Sequence, residues 1–413
     1  MGTIVDKLSY LINTKDIIKQ SIIDKGVSVN DNDTFRSYAN KISSIQTGSA
    51  VTKGEFVCRA IDYDGTILKE EHLDAGEIFT LPSLPTHDGL ITQGWSSPVD
   101  IVNNMVVVAD RDLIFGVMYE TASGLSEFDI ELTKNTGLTI TFNMDGTKNW
   151  GDGTTDTATT HTYADYGKYT ITCDGVNVGT DSTRLWGQTS NYPNYYCISA
   201  RLSKNVVIKQ YAFSFCYSLE YITIPQGVTG LGIGALAQCY SLKCIIIPNG
   251  VTIMNQSVCS YSNAKNIVIP NSVTELGKEA IFNAGGVANL TIPDTITSIG
   301  QSAMGSCYIL DNLTIINTPV INQQLLQGCR GLKKIKLGNV TSIASDAFRN
   351  LYSLSYIDFS SCISVPTLSG STTFSGINGN AKIIVPNDLY DSWISATNWI
   401  TYAKYIYKKS EVL

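Results

Sequence analysis

The chain has 413 residues, of which 43% are hydrophobic and 16% charged, a composition typical of an ordered protein long enough for two to four domains. Its net charge of -7 argues against general nucleic-acid binding, because such binding requires a basic stripe. No stretch approaches the roughly 20 apolar residues of a membrane span, and residues 1–7 do not read as a secretory leader. We therefore expect a protein that is made and kept soluble in a cytoplasm until assembly or release.

Residues 1–47 are predicted to be a helical segment, because apolar residues such as Ile4 and Leu8 recur at helical spacing. A module this small buries little apolar surface, so we predict a docking or oligomerisation element. Residues 13–27 and 35–42 resemble segments at the start of tail-associated proteins of phages and prophages from gut Firmicutes. The resemblance implies contacts with phage tail or baseplate proteins. Tail fibres are often homo-oligomers, although no heptad run in this chain requires one.

Residues 51–122 are predicted to form a small β-module after a short polar linker. Residues 57–62 have the composition of a strand, and Asp64-Gly65 is typical of a hairpin turn. Together with residues 81–90 and 94–96, this pattern resembles the β-grasp-like modules of bacterial surface and phage tail proteins.

Asp62, Asp64 and His72 in this module could in principle bind a metal ion. The two aspartates flank a turn, which is the ordinary use of aspartate in such a place, so we predict no metal here.

Residues 126–179 carry two matching signatures of another module. The first is Trp150-Gly151-Asp152-Gly153-Thr154, and the second runs from His161 to Thr172. They resemble the polycystic-kidney-disease-type (PKD-like) immunoglobulin-like sandwich, although the segment is shorter than usual. Gly151 and Gly153 permit a tight turn around Asp152, whose carboxylate can accept backbone hydrogen bonds.

Two further chemistries are conceivable in the PKD-like segment. Asp145, Asp152 and Asp156 could hold calcium, which prefers oxygen ligands, but their spacing is not that of an EF-hand. His161 is interpreted as a structural hydrogen-bonding residue and not as an acid or base. No metal is predicted.

Residues 180–407 are predicted to form a solenoid of repeats with caps, because one short apolar sequence motif recurs every 22 or 23 residues. Within Ile222-Thr223-Ile224 the apolar residues alternate as in a half-buried strand, and Pro225 ends it. The second apolar positions of the successive copies of the motif are Ile224, Ile247, Ile269, Ile292, Ile315, Leu337 and Phe359.

Small residues keep the same register between the predicted strands, which leaves room for a turn or short helix to pack against the sheet. They include Ala212, Ala235, Ala280, Ala303 and Ala347, with Cys216, Cys239, Cys307 and Cys329 close behind. We interpret these cysteines as a stacked column of buried thiols. Residues 208–228 resemble the unit of BspA-type leucine-rich repeats, which implies a binding surface without naming its ligand.

Caps are predicted at both ends of the solenoid, because terminal repeats expose an open core. Residues 180–205, rich in tyrosine, suit the first cap, and a sugar platform is the alternative use of those tyrosines. Residues 388–406 are predicted to be an amphipathic helix bearing Trp393 and Trp399, joined to the last repeat by a loop over residues 368–379.

The residues on the outward side of the repeat strands form the candidate binding face. The alternative is that this face is a solvent-exposed sheet without a binding role. Under that alternative, the adjacent apolar residues Ile246 and Val268 are unexpected. The basic cluster of Arg330, Lys333, Lys334 and Lys336 is interpreted as a solvated repeat face. The predicted binding residues are Tyr221, Thr223, Ile246, Asn266, Val268, Asn289, Thr291, Asn312, Thr314, Lys334, Lys336, Tyr356 and Asp358.

The sequence argues against catalysis. Its three histidines, His72, His87 and His161, all lie outside the repeats, and no catalytic or phosphate-binding motif is present. We predict a multidomain, mainly β, non-enzymatic binding protein without cofactors, metals or membrane insertion.

The order of modules, with the resemblances above, suggests a phage or prophage tail fibre or tail-tip protein. We expect it to be carried on the virion and to recognise a protein or glycan receptor on a bacterial surface. The alternatives are a cell-surface adhesin of a gut bacterium and an intracellular protein-interaction scaffold.

Overall fold

The computed structural model describes residues 54–412, apart from 109, 110, 136 and 188–193, and of the first 53 residues only Lys15 and Lys19, both helical. The helical segment predicted for residues 1–47 otherwise lies outside the described residues. Its role in docking or oligomerisation therefore stays a prediction.

Residues 54–122 form a β-module with a mixed sheet in the order β2-β1-β6-β4, in which β1 runs parallel to β6. The predicted hairpin is confirmed: Gly65 has φ +85°, and the amide of Asp62 donates to the carbonyl of Thr66 at 2.9 Å. The likeness to β-grasp modules stays a prediction. The strands are β1 (Phe56–Ile61), β2 (Ile67–Leu73), β3 (Ile78–Thr80), β4 (Leu90–Ser96), β5 (Met105–Val107) and β6 (Leu113–Thr121).

The β-module has its own small core, because alternate residues of its strands point to the same side. Phe79 and Phe115 stack there with ring centroids 5.7 Å apart. The buried core residues are Cys58, Ala60, Phe79, Leu81, Val106, Val108, Leu113 and Phe115.

Residues 126–178 form a segment of short strands around two long ones. β7 and β12 pair antiparallel over seven residues, and the buried residues of β7 alternate as expected for a strand with one covered face. The strands are β7 (Ser126–Leu132), β8 (Thr139–Thr141), β9 (Lys148–Asn149), β10 (Thr155–Asp156), β11 (Thr160–Thr162), β12 (Gly167–Cys173) and β13 (Asn177–Val178).

This segment continues directly into the repeats. β7 pairs antiparallel with the next long strand, β14 (Cys197–Arg201), which itself pairs parallel with a repeat strand. Arg201 on β14 joins the two, since its Nη1 lies 2.7 Å from Asp129 Oδ2 and its Nε lies 3.1 Å from Glu127 Oε2. One apolar core extends from Phe128 to Ile406, so the division predicted near residue 180 falls inside a shared sheet and core.

The repeats stack through parallel ladders, which bears out the solenoid prediction. In the sheet that carries the predicted binding face, Ile245 pairs with Ile267 and Leu313 with Ile335, a shift of one repeat. The strands from β15 onward are β15 (Val207–Ile208), β16 (Tyr221–Thr223), β17 (Cys244–Ile246), β18 (Ile253–Met254), β19 (Asn266–Val268), β20 (Glu275–Leu276), β21 (Ser298–Ile299), β22 (Asn312–Ile315), β23 (Val320–Ile321), β24 (Lys334–Leu337), β25 (Ser342–Ile343), β26 (Tyr356–Asp358), β27 (Thr367–Leu368), β28 (Lys382–Val385) and β29 (Ile406–Lys408).

Two kinds of strand alternate along the array. The binding face is carried by three successive sheets, which contain β16, then β17 and β19, then β22, β24, β26, β28 and β29. The strands between them form a second, narrower set of parallel ladders. The repeat at residues 289–292 has no named strand, but Asn289 still bridges to Asn312.

The predicted turn or short helix is a series of turns in each repeat, and these turns form a third ladder, which we call the turn ladder. Alternate amides donate to the next repeat, as from Cys259 to Ala280 and from Ile281 to Ala303, both at 2.8 Å. The ladder requires positive φ at positions four residues apart, although such a conformation costs a non-glycine residue about 1–2 kcal/mol. These residues are Tyr211, Phe215, Gln238, Ser257, Tyr261, Glu279, Asn283, Ser302, Ser306, Gln324, Asp346 and Asn350.

The predicted cysteine column lies inside the turn ladder. Cys216, Cys239, Cys307 and Cys329 are free and buried. The Sγ of Cys239 donates to the carbonyl of Phe213 at 3.1 Å. Burial raises the pKa of the Cys239 thiol well above its usual value, so the column is inert packing.

The second cap differs from the prediction. Residues 388–406 are not one helix but α1 (Tyr390–Ser395) flanked by 3-10 turns at Asn387–Leu389 and Trp399–Tyr405, with a further turn at Lys409–Glu411. Helix α1 ends because Ala396 is extended and Asn398 has φ +65°. The break lets Trp393 and Trp399 both pack against Phe359 and close the core.

Candidate binding surface

The predicted binding face lies on the outer side of the first sheet, but part of it is covered. Six of its residues are buried: Thr223, Ile246, Asn266, Val268, Thr291 and Asp358. The others are half-buried: Tyr221, Asn289, Asn312, Thr314, Lys334, Lys336 and Tyr356.

The β-module covers the first half of this face. Its strand β6 lies against β16, β17 and β19. Gly116 faces Ile246 so closely that a Cβ at this position would lie 2.7 Å from Ile246 Cγ1. A small apolar cluster fills the contact, so the β-module packs directly against the repeats and is not an independent domain on a linker. Its members are Ile61, Ile114, Met118, Cys244, Ile246 and Val268.

Polar contacts surround the apolar cluster. Ser96 Oγ donates to the carbonyl of Ile247 at 2.6 Å, and Thr291 Oγ1 donates to the carbonyl of Asp112 at 2.8 Å. Other contacts include charged or amide pairs: Arg111 with Asp294 at 2.5 Å, Glu55 with Lys334 at 3.2 Å, and Asn271 with Asp100 at 2.7 Å.

The expectation that the whole sheet face is exposed is therefore wrong. Ile246 and Val268, only 7% and 1% exposed, pack against the β-module, and Asn266 and Thr291 hydrogen-bond to it. Thr223 is also buried. Asp358 is buried further along the array, where its Oδ1 accepts the amide of Ser360 at 2.7 Å. Whether the half-buried residues bind a ligand stays a prediction.

Asp62 and Asp64 of the β-module hold its turn. Asp62 is buried, and its Oδ1 accepts a hydrogen bond from the Tyr119 hydroxyl at 2.7 Å. Its Oδ2 lies 2.7 Å from His87 Nε2. Asp64 Oδ1 accepts the amide of Thr66 at 2.8 Å. His72 lies apart, 3.8 Å from Glu70. Among the described residues, no group of three or more potential protein ligands is arranged to hold a metal ion.

The carboxylates of the PKD-like segment likewise accept hydrogen bonds from the protein. Asp152 accepts the amide of Thr154 at 2.9 Å and pairs with His161 Nε2 at 2.8 Å. The His161 ring stacks on Trp150 with centroids 4.7 Å apart, which agrees with its predicted structural role. Asp145 Oδ1 accepts two backbone amides, each at 2.8 Å.

The surface that the sequence reasoning missed is a row of aromatic side chains between the turn ladder and the sheet. We call it the aromatic edge. Tyr308 is 44% exposed and Tyr352 is 51% exposed. Its members are Tyr217, Tyr240, Tyr261, Tyr308, Arg330 and Tyr352.

Side chains of the aromatic edge contact each other in two groups of neighbouring repeats. The rings of Tyr217 and Tyr240 lie 4.7 Å apart. The guanidinium of Arg330 lies between two rings, 5.7 Å from the centroid of Tyr308 and 5.6 Å from that of Tyr352. Such cation–π contacts hold the side chains in a defined arrangement.

A signal for this row was available in the sequence. Five members of the row follow the same repeat period as the strands. Each lies seven residues before the second apolar position of its repeat: Tyr217, Tyr240, Tyr308, Arg330 and Tyr352. Applying the repeat period to exposed residue types as well as apolar ones would have found it.

The basic cluster is partly neutralised. Lys333 pairs with Asp311 at 2.8 Å, and Lys334 pairs with Glu55 of the β-module. No helix among the described residues is both long and apolar enough to cross a bilayer.

Comparison with known proteins identifies the repeats. Residues 192–311 and 252–378 match the family described as the BspA type leucine rich repeat region, with six copies. No curated protein matches the chain. Among solved structures, a leucine-rich repeat protein from Eubacterium ventriosum is 20% identical over 42% of this chain, with a TM-score of 0.31. This chain spans only 58% of that protein.

Two other solved structures are similar to this chain. A leucine rich cell surface protein from Faecalibacterium prausnitzii is 19% identical, covering 55% of this chain and 79% of its own, with a TM-score of 0.26. A leucine-rich repeat protein from Bacteroides ovatus is 20% identical, covering 60% and 90%, with a TM-score of 0.28. With the ladders described above, the family match shows that residues 192–378 of this chain are a BspA-type leucine-rich repeat region.

Proposed function

We propose that the chain is a non-enzymatic binding protein of a phage or prophage tail, which recognises a bacterial surface receptor through its repeats. The observation that carries the proposal is the aromatic edge. Tyrosine and arginine are the side chains that dominate recognition surfaces, and here they are exposed, repeated and fixed on a rigid array.

Several features support a binding role over catalysis. Two of the three histidines, His87 and His161, form structural hydrogen bonds with the turn carboxylates of Asp62 and Asp152. The cysteines are buried. The tail assignment itself rests on the resemblance of residues 13–27 and 35–42 to phage tail segments.

Adsorption of the full-length protein to bacterial cells tests the proposal. Fluorescently labelled protein is expected to sediment with cells of at least one gut Firmicutes strain. The double variant Tyr308→Ala, Tyr352→Ala should lose this binding about tenfold or more, since exposed aromatic anchors each contribute 1 kcal/mol or more. Tyr166→Ala, which removes an equally exposed tyrosine of the PKD-like segment, should bind as the parent does.

The alternatives make different predictions. Immunogold labelling of induced phage particles places a tail protein on the virion, whereas an adhesin labels the surface of the producing cell. If the protein adsorbs to no envelope but captures a cytoplasmic partner tightly, the scaffold hypothesis replaces both.

A further inference from the structure

Beside the aromatic edge, the repeats enclose a groove of about 330 Å³ that runs across four successive turns. With about 4.8 Å between neighbouring rungs, its length is roughly 14 Å. We propose that this groove binds an uncharged oligosaccharide stretch of a surface polysaccharide. The inference rests on the proposed function, because it names the ligand class of the same surface.

The groove exists because two positions in the turn ladder carry small residues. Tyr261 stands at the second positive-φ position of its repeat. Asn283 and Asn350 hold the equivalent positions in the first and last repeats of the groove, and the smaller Ser306 and Gly328 hold them in the two repeats between. In the adjoining column, Gly305 follows Phe282, and a Cβ at Gly305 would already lie 3.1 Å from that ring. The small side chains of these two repeats leave a concave space between their neighbours.

The lining offers hydrogen-bonding groups without net charge. Glu279 and Arg330 both line the groove, so one negative and one positive group balance each other. Among the described residues, the side-chain amides of Gln327 and Asn350 and the hydroxyl of Ser306 have no hydrogen-bond partner in the protein. Amides and hydroxyls of this kind match the hydroxyls of a sugar, while a polyanion would require several unpaired cations.

The aromatic rim supplies the second half of the recognition. Tyr308 and Phe282 both line the groove. Aromatic faces contact the C–H surfaces of a ligand and exclude water, while the polar groups fix its orientation.

An extended peptide fits this groove less well. Peptides that bind to sheets pair with unpaired backbone groups at an edge. Here the backbone of the turn ladder is already paired between repeats, for example from Met304 to Leu325 and from Ser306 to Gln327. Side chains alone are left for recognition, which favours a ligand rich in hydroxyls.

Affinity electrophoresis of the full-length protein tests the inference. The probes are soluble neutral glucans, mannans and galactans, with alginate and polygalacturonate as anionic counterparts. At least one neutral polysaccharide should retard the protein, and Tyr308→Ala should weaken that retardation about tenfold, as expected for one aromatic anchor.

A filling variant with a matched control separates the groove from the general surface. Ser306→Tyr places in the groove the residue that Tyr261 already carries at the equivalent position with φ +57°, so the backbone accommodates it. We expect it to abolish retardation, while Gln238→Tyr, at the same position in an earlier repeat with φ +59°, leaves it unchanged. Equal retardation of Ser306→Tyr and the parent would overturn the inference.

The outcomes distinguish this inference from the proposed function. Adsorption to cells without retardation by any neutral polysaccharide, or retardation by the polyanions alone, refutes the saccharide groove and leaves receptor binding standing. Retardation by a neutral polysaccharide without adsorption to any cell supports the groove and removes the receptor role.

Discussion

The Asp156 carboxylate holds the turn that follows β10 through two hydrogen bonds. Its Oδ1 accepts the indole N–H of Trp150 at 3.0 Å and the amide of Ala158 at 2.9 Å. The bond from Trp150 and then that from Ala158 lower the pKa of Asp156 below its ordinary value of 3.8. The folded protein therefore favours the ionised carboxylate. The local turn pattern predicted hydrogen bonds of this kind for Asp152, but not for Asp156.

Asp156→Asn is expected to weaken the dependence of the melting temperature on pH in acid. Because the pKa is lower in the folded than in the unfolded state, ionised Asp156 stabilises the protein above pH 3.8, and this contribution is lost as the pH falls below that value. Melting curves by near-ultraviolet circular dichroism at a series of pH values measure the difference.

Asp165→Asn is the control for this experiment, because the Asp165 side chain accepts no hydrogen bond from a described residue and should keep the parent's slope. If the Asp156 variant lost stability in acid as steeply as the parent does, the hydrogen bonds would not carry the effect.

At the scale of elements, the contact between β6 and β17 depends on a missing side chain. Gly116 lies where any Cβ would enter the space of Ile246. A glycine inside a strand usually marks a close approach of another element. The apolar Ile246 and Val268 were the sequence signal for such a partner, but the partner itself, more than a hundred residues earlier in the chain, has no local pattern that names it.

Gly116→Ala is expected to destabilise the protein by about 1–3 kcal/mol through overpacking. Ile246→Ala alone should cost about 2–5 kcal/mol, but the double variant should cost less than the sum, because the smaller side chain makes room for the new methyl group. Urea denaturation of all four proteins gives the coupling free energy.

Gly230→Ala controls for the change of glycine itself, since a Cβ at Gly230 meets nothing within 4 Å. Strictly additive effects at positions 116 and 246 would contradict direct packing between the β-module and the repeats.

The repeat period was easier to predict from the sequence than the residues at which individual helices begin and end. The repeat period fixes the register of Ile245 with Ile267 because the same apolar residue must face the core in every turn. The amphipathic pattern of residues 388–406 also places Trp393 and Trp399 inside, as observed. It could not show that the chain breaks at Asn398, because both tryptophans reach the core only after the chain bends there.

For the whole molecule, the decisive feature is the sheet shared by the PKD-like segment and the repeats. Phe128 on β7 is fully buried in the common core and contacts Phe142 and Trp186. Sequence signatures delimit the two parts separately, because each signature is local. The pairing of β7 with β14 joins residues about 70 apart and could not be predicted from either signature.

Phe128→Ala is expected to cost about 3–5 kcal/mol, as for a large buried ring. Because the core is shared, protection from hydrogen exchange should fall together in β12 and in β16, measured by mass spectrometry. The control Phe79→Ala, in the separate core of the β-module, should lower protection in β1 first. Loss of protection in β12 with β16 unchanged would show that the two parts open independently.

The pairing of β7 with β14 also has a mechanical consequence. A load taken up at Tyr308 or Tyr352 passes from repeat to repeat through the hydrogen bonds of the ladders. It reaches residues 126–173 through β16, β14 and β7, which are paired in one sheet. If the repeats bind a cell under shear flow, the tension is distributed over many hydrogen bonds. The repeats then keep their orientation relative to the PKD-like segment under load.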